Sequence, residues 1–364
     1  MLHGIARSVI DLLQGSTAFG RRAVAANLLG YLTSSGALSK NALESGLEHL
    51  RNMPADRVDD GAPIPDLGTA PNGLDELCNQ LITLVVDHPQ HIGLQLQRLW
   101  CLCQLWPHGS REERQQLRTA FIVSIRAERA PEGSYLTRAT LRSWQRSIPT
   151  WMSSEKLSTV DLESLTDYTN PQQAHFALAS FLGSESELPT LAQILHTLGN
   201  RLLLHHFDDQ GVLIDNVVGC SLFAGIAEHC PAPMMAIIIS QLAHNLWWCA
   251  NDGSLKRLAS GSHDNMPLED AIRSGDMIAA SRAARQHVNQ QQDPWPLFLR
   301  SLESFILSNE RAWDDAVAFT TATWLRTGRD SKLNPDQAAA LATTYSALSY
   351  LNTHGSRPFR AAKG

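Results

Sequence analysis

The chain has 364 residues, of which 43% are hydrophobic and 18% are charged, and its formal net charge is -6 at pH 7. A chain of this length can bury a large core, as one large helical domain or as two. The composition is typical of a soluble globular protein. The pI of about 6.1 argues against the basic stripe that binding to nucleic acid or to an anionic membrane requires. We therefore expect neither partner.

Arginines form one local cluster, at Arg111, Arg114 and Arg118, and two glutamates at positions 112 and 113 interrupt it. Mixed charges of this kind are typical of a solvent-exposed helix face. The sequence therefore predicts a solvated face here, and no basic surface for a nucleic acid.

The six cysteines form no C-x-x-C pair, and Cys101 and Cys103 have the wrong spacing for a zinc knuckle. Most lie in apolar helical patterns, where a reduced cysteine packs as a small hydrophobe. This usage predicts a cytoplasmic protein. The first residues, MLHGIARSVIDLL, have too short an apolar run and no small-residue cleavage site, so we expect no secretory signal. The longest apolar run, residues 234–248, is interrupted by polar side chains, so we expect a buried core helix and no membrane span.

Apolar residues at helical spacing, together with capping residues, predict helices along the whole chain. Ser39 is expected to cap a helix over residues 41–51, and Ser110 a helix that runs through Arg126. Residues 5–33 are predicted to be helical with a break around residues 15–20. Further helices are predicted at residues 74–87, 92–106, 137–145, 158–165, 172–182, 188–206, 212–229, 232–249, 267–273, 275–289, 295–308, 309–327 and 335–353.

The predicted class is all-α, because no run of alternating residues is long enough for a convincing strand. The helices would form a multi-helical bundle or a short solenoid of antiparallel helix hairpins. Residues 54–73 hold four prolines and three glycines, which predicts a linker or an ordered surface loop. This loop separates an N-terminal helical segment, 1–53, from a helical region with loops, 74–170, and a main helical domain, 171–355.

Common catalytic motifs are absent from the sequence. It contains no G-x-x-x-x-G-K-[ST], no G-x-G-x-x-G after a strand, no H-E-x-x-H and no G-x-S-x-G. The usual nucleotide-binding, zinc-protease and hydrolase hypotheses therefore have no motif to support them.

The most apolar stretch, residues 188–250, also carries five histidines and three aspartates. In the helix predicted to begin near Val212, Asp215 and His229 mark the two ends of an apolar stripe on one face. Short loops make consecutive helices antiparallel neighbours. Buried polar groups need partners, so we expect a polar cluster between this helix and the next, which presents Gln241, His244 and Trp248 on one face.

The loop before this helix gathers two histidines and two aspartates within residues 205–209. Histidine and carboxylate together suit iron, manganese or zinc, and two histidines with one carboxylate form the pattern of non-haem iron sites. The hypothesis is a metal site or a general acid–base site within residues 196–248. Its metal ligands would be His206, Asp209 and His229; its proton-transfer groups would be His205, Asp215 and His244; its cofactor contacts and pocket wall would be Gln241 and Trp248.

A structural interpretation of the same residues stays open beside this one. Asp208 and Asp209 can lie in the turn and cap the following helix. His229 can interact favourably with a helix C-terminus. His244 can be a core histidine whose hydrogen bonds are satisfied.

The order of segments LLLHHFDDQGVLIDNVVG, APMMAIIISQLAHNLWW, PLEDAIRSGDMIAASRAARQHV and DDAVAFTTATWL resembles the helical region of questin oxidase-like proteins. It is also similar to helical segments that accompany some Rieske-type proteins. The likeness covers about residues 172–330 and rests on helix order, with no catalytic motif matched. Where such segments often place a histidine after the glycine, this chain has Val212 and Leu213. The resemblance implies an oxidative enzyme that acts on a small, largely apolar organic molecule.

Three functional hypotheses follow. The first is an oxidative enzyme with its site in the central helices and an iron, manganese or zinc cofactor. The second is an α-helical interaction scaffold without chemistry, in which the polar cluster fixes the register of the helices. The third is a small-molecule binding protein without turnover. The sequence does not specify an oligomeric state.

Overall fold

The computed structural model describes residues 26, 29–30, 33–34, 38–52, 68–87, 91–127, 188–203, 206–208, 212–251, 255–257, 267, 270, 279 and 283. Seven α-helices have described bounds, and these are Lys40–Asn52 (α1), Leu74–Val86 (α2), Ile92–Leu105 (α3), Arg111–Ala127 (α4), Leu188–Leu203 (α5), Val212–Ala227 (α6) and Ala232–Asn251 (α7). A 3-10 turn, Trp106–His108, joins α3 to α4. The all-α prediction is confirmed.

Two short strands, β1 (His206–Asp208) and β2 (Leu255–Arg257), pair antiparallel, with His206 opposite Arg257. They lie just after α5 and just after α7, and three residues each do not change the all-α class. The predicted helix over 188–206 ends earlier, at Leu203, because the chain at His206 pairs with β2.

The described residues fall into two compact units. The first unit contains those up to Ala70, those of Trp100–Ala127 and those after Arg257, and the second unit contains Pro71–Leu99 and Leu188–Arg257. The boundary between the two units falls within α3, between Leu99 and Trp100. The segment boundaries predicted above, and the choice between bundle and solenoid, stay predictions.

In the first unit α1 packs against α4, and local signals at the helix starts explain where both helices begin. The Ala42 N–H donates to Ser39 Oγ at 3.3 Å, as predicted for a cap. At the start of α4 the Glu113 N–H donates to Ser110 Oγ, while the Ser110 N–H donates to Glu113 Oε2 at 2.8 Å. This reciprocal pair is a capping box, and it confirms the predicted role of Ser110.

The solvated-face interpretation of the arginine cluster is wrong for Arg118, which is buried. Its guanidinium donates to the carbonyl oxygens of Gly68, at 2.5 Å, and Thr69, at 3.3 Å, and to Gln115 Oε1. Gly68 has a φ of 68°, which glycine adopts without strain. Burial of this charge is tolerated because the loop carbonyls replace water. Arg114 is half-buried over the Trp106 ring, and Arg111 is exposed.

In the second unit α5, α6 and α7 pack against one another, and α7 also packs against α2. Asn216, early in α6, hydrogen-bonds to Leu242 and Asn245, late in α7, so these two helices form an antiparallel hairpin. Helix α7 is buried from Met235 to Cys249, which confirms the predicted core helix. Within the described residues, no helix is long and apolar enough to cross a membrane.

Candidate functional site

The crossing of α3 and α6 brings Gly93, Asp215 and Gly219 together. A Cβ at Gly93 would collide with the backbone carbonyl of Asp215, and a Cβ at Gly219 would lie 2.7 Å from the Gly93 Cα. The two backbones therefore approach as closely as only glycine permits. At this contact Gln97 Nε2 donates to Asp215 Oδ1 at 3.3 Å, and both residues are buried. Asp215 thus binds an amide from another helix at a tight backbone crossing.

The contact between α6 and α7 carries a second polar link. Asn216 Nδ2 donates to the carbonyl oxygen of Leu242, and Asn216 Oδ1 accepts from Asn245 Nδ2 at 3.5 Å. Asn216 and Asn245 are both buried. A hydrogen bond inside an apolar contact favours one alignment of the helices, because any other alignment leaves a buried polar group without its partner.

Gln241 forms a third link, between α7 and the end of α2. Its Nε2 donates to the Val86 carbonyl oxygen at 2.9 Å. Val86 is the last residue of α2, where carbonyl groups have no partner within the helix. The Gln241 side chain, which is completely buried, therefore caps a helix C-terminus from a neighbouring helix. This is a structural use of a residue that the sequence nominated for cofactor contact.

His244 and Trp248 lie in the part of α7, Met235–Cys249, in which every residue is buried. The His244 ring centroid is 5.6 Å from that of Trp247, with the planes tilted by 48°. Trp248 is also buried. Burial places His244 in the core, while the satisfaction of its hydrogen bonds and a role in proton transfer both stay predictions.

His229 lies beyond the end of α6, in the turn that leads to α7. Its Nδ1 is 2.9 Å from Asp75 Oδ1 in the first turn of α2, and the Asp75 side chain is exposed. The neighbouring Cys230 thiol is hydrogen-bonded to Cys78, one helical turn after Asp75. Two adjacent contacts thus join the α6–α7 turn to the start of α2.

The hydrogen bond to Cys78, followed by burial and by the negative charges of Cys78 and Asp75, raises the pKa of the Cys230 thiol above its usual range. Burial alone raises the pKa of Cys220. None of the six cysteines forms a disulfide. Both shifts favour the neutral thiol, so neither residue has the lowered pKa that marks an activated nucleophile.

Two of the three predicted metal ligands, His206 and His229, lie on opposite sides of α6 along the chain. Residue 209 lies outside the described residues, as does the predicted proton-transfer residue His205. His206 precedes α6 in β1 and His229 follows α6, whose 16 residues extend about 24 Å. Within the part of the chain that the structure describes, no three His, Cys, Asp or Glu side chains are arranged to hold a metal ion. The metal hypothesis therefore stays a prediction.

Several polar residues of the core were not anticipated from sequence. In α5 the Asn200 amide lies 3.1 Å from His196 Nε2 and donates to the His196 carbonyl oxygen, and both side chains are buried. Their i, i+4 spacing is a sequence signal that could have predicted this contact. The signal for Gln97 is weaker, and it consists only of a polar residue within the apolar run IGLQLQRLW. Cys78 offered none, because it forms no motif with Cys230.

The helix-to-helix links of the second unit, formed by Gln97–Asp215, Asn216–Leu242, Asn216–Asn245 and Gln241–Val86, are hereafter called the polar lock. They join α2, α3, α6 and α7. No family model, no curated protein and no solved structure matches the chain.

Proposed function

We propose that this protein is an α-helical interaction scaffold, in which the polar residues of the central helices fix one arrangement of the helices. The polar lock is the observation that supports the proposal. Buried polar groups at helix contacts select register, and removing one partner is costly because the other loses a hydrogen bond in a dry environment. Asp215 and Gln241, nominated for chemistry by the sequence, are engaged in this way.

Substitutions at Asp215 test whether its bond to Gln97 stabilises the fold as part of the polar lock. Asp215→Asn keeps an Oδ1 acceptor for the Gln97 amide and removes the ionisable group. We expect the free energy of unfolding of this variant to lie within about 0.5 kcal/mol of the wild-type value, as is usual for a conservative change. Asp215→Leu removes the acceptor and should cost about 1–3 kcal/mol. Urea unfolding followed by circular dichroism measures both free energies.

A third variant, Asn216→Ala, tests the lock at the second contact. It loses the bond to the Leu242 carbonyl and the bond with Asn245, and we expect a loss of about 1–2 kcal/mol. Thr197→Ala in α5 is the control, because Thr197 is not fully buried and its hydroxyl donates only within its own helix. If Asn216→Ala and Thr197→Ala lost equal free energies of unfolding, the bonds of Asn216 to α7 would contribute no more than a bond within one helix.

The second hypothesis is the oxidative enzyme acting on a small, largely apolar organic molecule, which the resemblance to questin oxidase-like proteins implies. It depends on His205 and Asp209, whose neighbours the structure does not describe. Metal content measured by mass spectrometry on protein purified without a histidine tag decides between the two. Near-stoichiometric iron, manganese or zinc, lost in a folded His229→Ala variant, would overturn the scaffold.

A cytoplasmic location is part of the proposal. It is supported by six cysteines that form no disulfide and no C-x-x-C motif, a usage typical of reducing compartments. The composition, without a basic stripe, supports protein partners over nucleic acid.

A further inference from the structure

The sequence contains one Asn-Gly pair, formed by Asn72 and Gly73, and this pair lies directly before α2. Both residues are exposed. The chain is buried on either side of them, because Pro71 is buried and Leu77, in α2, is completely buried. The pair is therefore a short link in contact with solvent between two packed points of the second unit.

The position of Gly73 at the helix start leaves its backbone nitrogen outside the helical hydrogen bonds. Gly73 is the N-cap residue of α2, with φ -101° and ψ 158°. Its carbonyl oxygen accepts from the Leu77 N–H at 3.2 Å, which begins the helical pattern. The first N–H groups of a helix have no partner within the helix. Formation of α2 thus does not engage the nitrogen of Gly73.

The space around Gly73 is open as well. A Cβ at this position would meet nothing within 4 Å, so the fold leaves room for another group to approach the backbone here. Glycine has no side chain of its own to hinder such an approach, and it adopts a wide range of φ. The group nearest along the chain is the Asn72 side-chain amide, whose Cγ closes a five-membered ring when it bonds to the Gly73 nitrogen.

We propose that Asn72 is a spontaneous modification site of the folded protein, at which the side-chain amide is converted to an aspartyl or an isoaspartyl residue. The conversion adds one negative charge to a chain whose formal net charge is -6. This charge appears just ahead of the acidic first turn of α2, which contains Asp75 and Glu76. The isoaspartyl product also lengthens the backbone by one carbon atom between Pro71 and α2. The inference goes beyond the scaffold function and does not depend on it.

The reaction needs water and no other reactant. The Gly73 nitrogen loses its proton to solvent and attacks Asn72 Cγ, the bond from Cγ to the side-chain nitrogen breaks, and ammonia leaves with a proton taken back from solvent. A cyclic imide remains, and water adds to one of its two carbonyl carbons. Opening at Cγ gives aspartate, whereas opening at the backbone carbonyl carbon gives isoaspartate. No atom is oxidised or reduced.

Two other exposed asparagines provide internal comparisons. Asn41 lies at the start of α1, but the nitrogen that follows it, that of Ala42, donates to Ser39 Oγ at 3.3 Å. Asn79 lies within α2, where the nitrogen of the next residue belongs to the helical hydrogen-bond pattern. In both cases the next residue also carries a Cβ. We therefore expect conversion at Asn72 and not at these two positions.

The test follows the full chain, kept folded in buffer or unfolded in guanidinium chloride, by ion-exchange chromatography and peptide mapping. We expect a more acidic species to accumulate in the folded protein, with the mass change from amide to carboxyl located at Asn72. Residues 58–97 contain no lysine or arginine, so trypsin leaves Asn72 and Asn79 on one fragment. Further cleavage after Glu76 separates them.

The comparison of the two states decides whether the fold leaves the site open. The rate at Asn72 in the folded protein should lie within about tenfold of the rate in the unfolded chain, which is a difference in activation free energy below about 1.4 kcal/mol. Slower conversion than this in the folded protein would overturn the proposal. Conversion of Asn41 or Asn79 as fast as that of Asn72 would overturn it as well.

Variants complete the experiment. Gly73→Ala should slow the conversion about tenfold, because the new Cβ hinders the approach to the nitrogen, and its open surroundings let the variant fold. Asn72→Gln should abolish the acidic species, whereas Asn41→Gln, the matched control at the start of α1, should retain it. An unchanged rate in Gly73→Ala, or an acidic species that persists in Asn72→Gln, would contradict the proposed site.

Discussion

The two units bury polar groups for different purposes. In the second unit the polar lock joins one helix to another through amides and a carboxylate. In the first unit the buried guanidinium of Arg118 joins a helix to loop carbonyls at Gly68 and Thr69. An amide in an apolar contact specifies how helices align, whereas a guanidinium with several donors can hold an irregular backbone.

The difference predicts how each unit responds to substitution. At the lock the backbones are close, so added volume is as damaging as a lost hydrogen bond. At Arg118 the contacts to the loop are hydrogen bonds to the Gly68 and Thr69 carbonyls, so the loss of these bonds is the main expected cost. The contrast is tested by comparing the loss of unfolding free energy when volume is added in the second unit with the loss when hydrogen bonds are removed in the first unit.

The largest effect is expected for Gly93→Ala. The new Cβ would meet backbone atoms of Asp215 and Asn216, and no flexible side chain is there to move aside. Separating α3 from α6 should lower the free energy of unfolding by about 3 kcal/mol. This loss exceeds the roughly 1 kcal/mol by which alanine, with its higher helix propensity, would stabilise the helix. Urea unfolding provides the measurement.

Gly73→Ala is the matched control for this substitution. A Cβ at Gly73 meets nothing within 4 Å, so we expect a change of about 0.5 kcal/mol or less. If the two alanines had equal effects, the close approach of α3 and α6 would not be what makes glycine necessary at position 93.

Arg118→Met should have the next largest effect. Methionine keeps much of the buried aliphatic chain but loses the bonds to the Gly68 and Thr69 carbonyls, at an expected cost of about 2 kcal/mol. Arg111→Met on the same helix is the control, because Arg111 is exposed, and it should change stability by less than about 0.5 kcal/mol. Limited proteolysis near residues 68–69 should quicken in Arg118→Met only, and unchanged cleavage would show that Arg118 does not hold the loop.

Signals that lie close together in sequence were sufficient to predict much of the fold. The starts of α1 and α4 follow from Ser39 and Ser110, whose bonds span three residues. The bounds of α6 and α7 follow from apolar periodicity, and the prediction for each differed from the structure by two residues, at the C-terminal end.

Contacts between distant residues were beyond the same reasoning. Asp215 was correctly expected to need a partner, but that partner, Gln97, is 118 residues away, and no local pattern says which helices cross. Arg118 was misjudged because its exposure was inferred from its charged neighbours, while its burial depends on a loop 50 residues earlier. The pairing of β1 with β2 is non-local in the same sense.

The smallest effect is expected for Ser110→Ala, and it sharpens the description of the first unit. The substitution removes the hydroxyl acceptor of the capping box and should cost about 1 kcal/mol. Ser110 and Arg118 are about 12 Å apart along α4, a separation at which stability effects usually add within about 0.5 kcal/mol. The double variant with Arg118→Met should therefore show the sum of the two losses in urea unfolding. A larger departure from additivity would mean that the helix start and the loop anchor behave as one cooperative element. Additivity would leave Arg118 as a local anchor, unlike Asn216 of the polar lock, which is bonded to two residues of α7.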